Sequence, residues 1–304
     1  MYPLFLFRRK LRQRPSSLAS SWKPSITPSP IYYELDGRKY PVNYPYLLPK
    51  DEQETDRLNF QHFFLKAVLG GNYIVPLDRI RVETILDVGC GTGVWCREIA
   101  GEFKQVNIIG VDLDPSLSRT IAPPANCQFM QADLLRGLPF VGGTFDFTHM
   151  RLLVAAIPTR SWPGAVSELM RVTKPGGWIE LVECGFGFKR AGPATMRYVE
   201  WWDQVGRLRG IETASVAYLD RWLRDAGAKD VEKRILYVPV GQWGGRLGKM
   251  LALNMQNGWR GVRGMLCEQL GITTEQFDEV IYALPQEWEH NRTEYAYYIA
   301  SGRR

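Results

Sequence analysis

The sequence predicts an α/β fold built on a doubly wound, mostly parallel sheet of seven strands. Short apolar runs alternate with segments of helical periodicity, the pattern of parallel strands joined by helical crossovers. The 304 residues are 45% hydrophobic and 23% charged, which excludes a largely disordered chain, a collagen-like repeat and a coiled-coil rod. Polar side chains follow five of the apolar runs at the points where strands should end. Ligands of such sheets bind outside the carboxyl ends of the strands, so these side chains also predict the site.

Seven segments are predicted strands: 84–88, 106–111, 127–130, 145–148, 178–182, 231–240 and 295–300. Before them, residues 31–50 read as an extended aromatic arm and residues 51–69 as a helix with an acidic first turn. With the connection that follows, they form an N-terminal unit of residues 31–80. A helix over about 161–173 should stop at a turn formed by residues 174–177, Lys-Pro-Gly-Gly.

The polar residues that end the first five predicted strands should converge on one edge of the sheet. They are Asp87, Asp112, Asp133, His149 and Glu183. This convergence predicts that these five side chains belong to one site.

The net charge of +6 belongs to the start of the chain. Residues 1–30 contain six basic residues and no acid, so residues 31–304 carry 32 basic and 32 acidic side chains. A neutral body argues against a nucleic-acid partner. The Ser- and Pro-rich composition of residues 1–30 predicts a disordered basic tail beside one folded domain of residues 31–304. An organelle transit peptide and a surface anchor built from residues 3–7 and the basic cluster remain alternatives.

The cysteine pattern and the apolar runs indicate the compartment. Five cysteines lack any C-x-x-C spacing, which disfavours a disulfide framework and a zinc site. We therefore expect a reducing, cytoplasmic location and no metal. No apolar run approaches the roughly 20 residues of a transmembrane helix, so no integral membrane segment is expected.

A glycine-rich loop joins the first predicted strand of the sheet to a helix. Residues 87–93 read Asp-Val-Gly-Cys-Gly-Thr-Gly, and glycines there allow positive φ and close approach of a ligand. The following helix offers free N–H groups to an anion. The dinucleotide fingerprint fails because Val94 stands where it needs a small residue, and the Lys-Ser/Thr of a P-loop is absent.

This loop, preceded by Ile-Leu-Asp, resembles that of class I S-adenosylmethionine (SAM)-dependent methyltransferases. Residues 111–114, 131–134, 138–146 and 174–178 resemble later motifs of the same family in the same order. The resemblance implies a Rossmann-like sheet whose last strand is antiparallel, with SAM as cofactor. A closer resemblance, over about residues 45–302, is to the LaeA-like (secondary-metabolism regulator) subgroup. It is carried by segments such as 46–52, 93–95, 145–151 and 176–181. The chain departs from that subgroup in having the basic tail in place of an extra domain.

The resemblance implies roles for residues at the predicted edge. Gly89, Gly91 and Gly93 would hold the methionine part of SAM, with Asp87 on its ammonium and Asp112 on the ribose hydroxyls. Asp133 and Leu134 would bound the adenine. The other residues implied to contact the cofactor are Cys90, Leu113 and His149. A turn, cap or loop role is the structural alternative for each.

Three residues are candidates for a catalytic base. His149 would lie beside the methyl group and has a suitable ordinary pKa, but a structural or cofactor-contacting role is the alternative. Glu183 is the next candidate, and His62 lies on an N-terminal helix that could cover the site. Arg151 could bind an acidic substrate or form a loop salt bridge. Alignment of the reactants and exclusion of water remain the main requirement for methyl transfer.

Two insertions, residues 184–215 and 241–293, are rich in aromatic and Met residues. We predict that they form a substrate lid, with plain core as the alternative. The predicted function is methyl transfer to a small, largely apolar metabolite, preferably at oxygen, with nitrogen or carbon as alternatives. A SAM-binding regulator of secondary metabolism that acts through partners is the rival hypothesis. The acceptor's identity and the oligomeric state stay open.

Overall fold

The computed structural model describes residues 31–42 and 46–304, so the predicted tail lies outside the described residues. A seven-stranded sheet has the order β5-β4-β3-β6-β7-β9-β8. Its strands are β3 (Thr84–Val88), β4 (Asn107–Asp112), β5 (Cys127–Gln131), β6 (Phe145–Arg151), β7 (Thr173–Lys189), β8 (Lys229–Pro239) and β9 (Glu294–Arg303). In this sheet β9 runs antiparallel to β7 and β8, which flank it, and the other paired strands are parallel. The predicted Rossmann-like sheet with an antiparallel last strand is confirmed.

Helices pack against both faces of the sheet. They are α1 (Glu52–Leu69), α2 (Val94–Glu102), α3 (Trp162–Val172), α4 (Pro193–Leu208), α5 (Leu219–Asp225), α6 (Gly245–Gly261), α7 (Arg263–Leu270) and α8 (Thr274–Asn291). The predicted start of α1 is explained by Asp51, whose side chain accepts the backbone N–H of Glu54 at 2.9 Å. The helix ends at Gly70, which has φ +76°.

Alternating side chains of the central strands enter two different cores. Ile85 on β3 packs into the cluster that contains Trp95 of α2. The next residue, Leu86, packs into the cluster that contains Leu169 of α3. Because successive strand residues face opposite sides, the continuously apolar strands bury both of their faces, as a parallel sheet covered by helices requires.

Strand β7 is longer at both ends than the sequence predicts. The turn expected at residues 174–177 lies within the strand: Gly176 has the positive φ of a turn, +79°, while its N–H donates to the carbonyl of Arg304 at 2.7 Å. Between the pairs Phe145–Thr173 and Phe147–Trp178 the register shifts, so residues 174–177 of β7 bulge opposite a single residue of β6. At the other end, the strand continues through residues 184–189, paired with β9. The first part of the predicted insertion 184–215 is therefore sheet.

The N-terminal arm and the two insertions share one core. The arm forms a hairpin of β1 (Tyr32–Leu35) and β2 (Arg38–Pro41). The Tyr40 hydroxyl donates to the carbonyl of Gly261 at the end of α6 at 2.6 Å. Tyr198 of α4 stacks on Trp259 of α6 with ring centroids 3.7 Å apart. These aromatic side chains are buried core, so the lid role of the insertions stays a prediction. Within the described chain, no helix has both the length and the apolar character to cross a bilayer.

Candidate functional site

The carboxyl ends of β3, β4 and β6 open into a cleft of about 250 Å³ beneath α1 and the N-terminal arm. Most residues predicted to bind the cofactor line it: Asp87, Gly89, Cys90, Gly91, Asp112, Leu113, Asp133 and Leu134. Gly93 and His149 lie outside this lining. Segments far apart in the sequence thus meet at one edge of the sheet.

The glycine loop is shaped by close packing at two positions. Gly89 has φ +71°, and a Cβ built there would lie 2.6 Å from the side chain of Leu153. Gly93 has φ +74°, and its Cβ would lie 2.5 Å from the ring of Phe129. Gly93 therefore packs against β5 and forms the N-cap of α2. Nothing lies within 4 Å of a Cβ built on Gly91, which faces open space.

Asp112 fixes the glycine loop relative to β4. One oxygen accepts the backbone N–H of Gly91 at 2.9 Å, and the other accepts that of Asp114 at 3.0 Å. Burial raises the pKa of Asp112. The carboxyl group is thus oriented by two backbone N–H groups.

Asp114 connects the cleft to the N-terminal arm. Its carboxylate pairs with Lys50 at 3.0 Å, accepts the hydroxyl of Tyr32 at 2.9 Å, and accepts the backbone N–H of Ser116 at 3.1 Å. Burial opposes ionisation, but Lys50 and the hydrogen bonds leave the pKa of Asp114 lowered. These contacts tie the arm to the loop after β4.

Asp133 caps a short helical turn at the far side of the cleft. Its side chain accepts the backbone N–H of Leu135 at 2.9 Å, and Arg136 lies 3.3 Å away. Leu113 and Leu134 supply apolar surface in the same lining. The structure therefore brings together the acid and the two leucines that the resemblance implies.

His149 lies behind the cleft, with only 1% of its surface exposed. Its Nδ1 is 2.8 Å from Asp87, and its ring stacks on Trp95 at 4.1 Å and 3°. The second oxygen of Asp87 accepts the thiol of Cys96 at 3.3 Å. His149 does not line the cleft, but it contacts Asp87, which does, and helps to orient the Asp87 carboxyl group.

His62 lines the cleft, but both of its ring nitrogens are engaged. Nδ1 is 2.8 Å from the Arg151 guanidinium, and Nε2 is 2.8 Å from Glu98. Arginine can only donate, so Nδ1 accepts and Nε2 carries the proton toward Glu98. Burial, together with Arg151, lowers the pKa of His62 to about 4. The imidazole is therefore neutral and holds Arg151 in place.

Glu183 is fully buried and is not part of the cleft lining. Its two oxygens accept the backbone N–H groups of Leu153 and Val154 at 2.8 and 3.1 Å. Burial raises its pKa to about 8. The geometry gives Glu183 a role in holding the loop after β6.

Sequence reasoning assigned no role to several lining residues of the arm and α1, among them Tyr46, Lys50, Glu54 and Gln61. The resemblance of this segment to the LaeA-like subgroup was the only sequence signal that it contributes to a site. Nothing local predicts that Lys50 pairs with an acid 64 residues away.

Comparisons with known proteins find one matching family and several similar proteins. Residues 85–177 match the family described as "Methyltransferase domain". The chain is 24% identical over 268 residues to N-methyltransferase gliN of Aspergillus fumigatus, covering 80% of this chain and 91% of that protein. It is 28% identical over 226 residues to the secondary metabolism regulator laeA of Aspergillus flavus, covering 70% and 59%. The solved structure of geranyl diphosphate C-methyltransferase from Streptomyces coelicolor, with S-adenosyl-L-homocysteine, aligns with a TM-score of 0.44 and 16% identity, covering 81% and 79%.

Proposed function

The chain belongs to the LaeA-like class I SAM-dependent methyltransferases, and from this premise we propose that it methylates a small, largely apolar acceptor bound beside SAM in the cleft. The observation that carries the proposal is the meeting of the glycine loop, Asp112 and Asp133 around one cleft. The remaining wall is largely apolar, with Leu58, Leu65, Leu152, Ala156 and Ile157.

The residues present fit SAM. Gly91 faces open space at the mouth of a helix, where the methionine part would meet backbone N–H groups. The Asp112 carboxyl group lies in the same lining for the ribose, and Leu113 and Leu134 offer apolar surface for the adenine. When bound, SAM supplies an electrophilic methyl group on a sulfonium. The chain's residues would bind and orient the cofactor and keep water away.

The ionisable groups of the cleft favour an acceptor that needs no base before transfer. Glu54 is held by Arg57 through contacts of 2.6 and 2.8 Å. Asp87, Asp112 and the neutral His62 also have partners. An uncharged amine already presents a lone pair, whereas a hydroxyl must lose a proton to become strongly nucleophilic. We therefore favour nitrogen over the oxygen that the sequence suggested, in line with the N-methyltransferase name of one relative.

The test is a binding and turnover experiment with the full chain. Calorimetry should show one SAM site, and an assay for S-adenosylhomocysteine release should respond to secondary amines more than to matched phenols. Mass spectrometry should find a product heavier by one methyl group. Asp112→Ala should lose SAM affinity, while Asp225→Ala, an exposed change on α5, should not. Failure to bind SAM at millimolar concentration would overturn the proposal.

A second candidate function is a SAM-binding regulator that acts through partners, which the similarity to a secondary metabolism regulator favours. The two candidates differ in turnover. SAM binding without product release, across amines, phenols and a cell extract, would favour the regulator.

A further inference from the structure

Arg151 is a cation in the cleft wall that lacks an acidic partner. It ends β6 and lines the cleft. Its guanidinium donates to His62 Nδ1 at 2.8 Å. Within residues 31–42 and 46–304, it forms no salt bridge, unlike Arg57, which is held bidentately by Glu54. A guanidinium that donates only to a neutral ring keeps further N–H groups for a ligand.

The support behind Arg151 is built from three residues on two helices, α1 and α2. His62 of α1 accepts from Arg151 and donates to Glu98 of α2, and Lys66 pairs with Glu98 at 2.8 Å. Because Lys66 and Glu98 compensate each other, the neutral imidazole orients the guanidinium without neutralising it. This relay holds a charged group at the cleft wall while leaving its charge available.

Arg151 and Asp87 stand near the carboxyl ends of two neighbouring strands, β6 and β3. Asp87 is the register partner of His149 across β3 and β6. Arg151 follows His149 by two residues and therefore projects from the same face of the sheet. Both Asp87 and Arg151 line the cleft. An acid and a guanidinium that line one cleft match the ammonium and carboxylate of an amino acid.

We propose that Arg151 binds the carboxylate of the methionine part of SAM, with His62 and Glu98 as positioning residues. This proposal rests on the proposed function, because it assumes that SAM occupies the cleft. A guanidinium binds a carboxylate through two parallel N–H···O bonds, which fixes orientation as well as affinity.

The test compares two ligands that differ in the carboxylate. S-adenosylhomocysteine carries the amino-acid group, and 5′-methylthioadenosine lacks it. In the full chain, Arg151→Met should weaken the affinity for S-adenosylhomocysteine about 10- to 100-fold and leave the affinity for 5′-methylthioadenosine within about twofold of the original value. Calorimetry measures both affinities. Arg160→Met removes an exposed guanidinium and should change neither affinity. If the original chain binds neither ligand, the proposed function fails; if Arg151→Met loses both ligands equally or neither, only this proposal fails.

Variants of His62 test the relay. Asn offers a side-chain oxygen near the position of Nδ1, so His62→Asn should keep most of the affinity for S-adenosylhomocysteine. His62→Leu removes the hydrogen-bond acceptor, so the affinity for S-adenosylhomocysteine should fall about 3- to 10-fold while the affinity for 5′-methylthioadenosine stays unchanged. Equal affinities for His62→Leu and the original chain would overturn the positioning role. Circular dichroism and a thermal melt check that each variant is folded.

Discussion

The carboxyl group of Glu183 accepts the backbone N–H of Leu153 at 2.8 Å, across 30 residues of sequence. The adjacent N–H of Val154 binds its other oxygen. Just before these residues, Leu152 adopts φ +57°, an uncommon conformation for a residue with a side chain. Leu153 in turn packs against the Gly89 backbone. A buried acid thus fixes a cleft wall that it does not itself line.

Replacing Glu183 by Gln should destabilise the fold and weaken SAM binding. The amide NH₂ cannot accept, so one buried backbone N–H loses its partner, which costs about 1–3 kcal/mol. Urea unfolding gives the stability and calorimetry the SAM affinity. Glu279→Gln, an exposed change on α8, is the control. Adding Leu152→Gly should recover part of the SAM affinity, since glycine tolerates positive φ; a Glu183→Gln variant with unchanged stability and affinity would contradict the loop role.

Glu183 should also make stability fall as pH rises. Burial raises its pKa to about 8, above the ordinary value of about 4.3 in the unfolded chain. The folded chain therefore keeps a proton that the unfolded chain has lost, and stability decreases from about pH 4.5 to about pH 8. The measurement is the difference in unfolding free energy between the original chain and Glu183→Gln across this range. A pH-independent difference would contradict the prediction.

His62 should act in the opposite direction and in a lower window. Burial and Arg151 lower its pKa to about 4, whereas the unfolded chain titrates near 6.5. Stability contributed by neutral His62 is complete above about pH 6.5 and is lost as pH falls toward 4. His62→Asn should flatten this part of the unfolding profile, while His290→Asn, an exposed change, should not. Identical pH profiles of unfolding free energy for His62→Asn and His290→Asn would contradict this prediction.

Gly89→Ala should damage the cleft more than the same change at another glycine with positive φ. A Cβ at Gly89 would lie 2.6 Å from Leu153, whereas one at Gly70, with a similar φ of +76°, meets nothing within 4 Å. Gly70→Ala should cost about 1 kcal/mol from backbone strain alone. Gly89→Ala should cost more and lose SAM affinity, measured by urea unfolding and calorimetry. Leu153→Ala in the same chain should restore part of that loss, and an absence of any recovery would exclude the packing explanation.

The sequence predicts those strands and helices whose residues follow a local hydrophobic pattern. Thr84–Val88 is the strand that the apolar run predicts, because burial on both faces needs continuous apolar residues. The start of β7 follows only in part, because the Lys-Pro-Gly-Gly segment turns as its composition predicts, with Gly176 at φ +79°, but does so as a bulge inside a strand that begins at Thr173. His149 lies near the end of β6, as predicted, but Glu183, predicted to end its strand, lies inside β7, which continues to Lys189. The partners of both residues depend on side-chain packing across distant segments. Local residue spacing could not assign those contacts.

Lys50 should control how long the cofactor stays bound. It is 15% exposed at the cleft, where it pairs with the 6% exposed Asp114 and ties the arm to the loop that follows Asp112. Removing one member of a largely buried pair leaves the other charge uncompensated. Lys50→Gln should therefore raise the dissociation rate of S-adenosylhomocysteine about tenfold, measured by stopped-flow displacement. Lys39→Gln removes an exposed cation whose distance to Glu34 is 3.9 Å, and its dissociation rate should match that of the original chain. Equal rates for all three proteins would show that the arm does not retain the ligand.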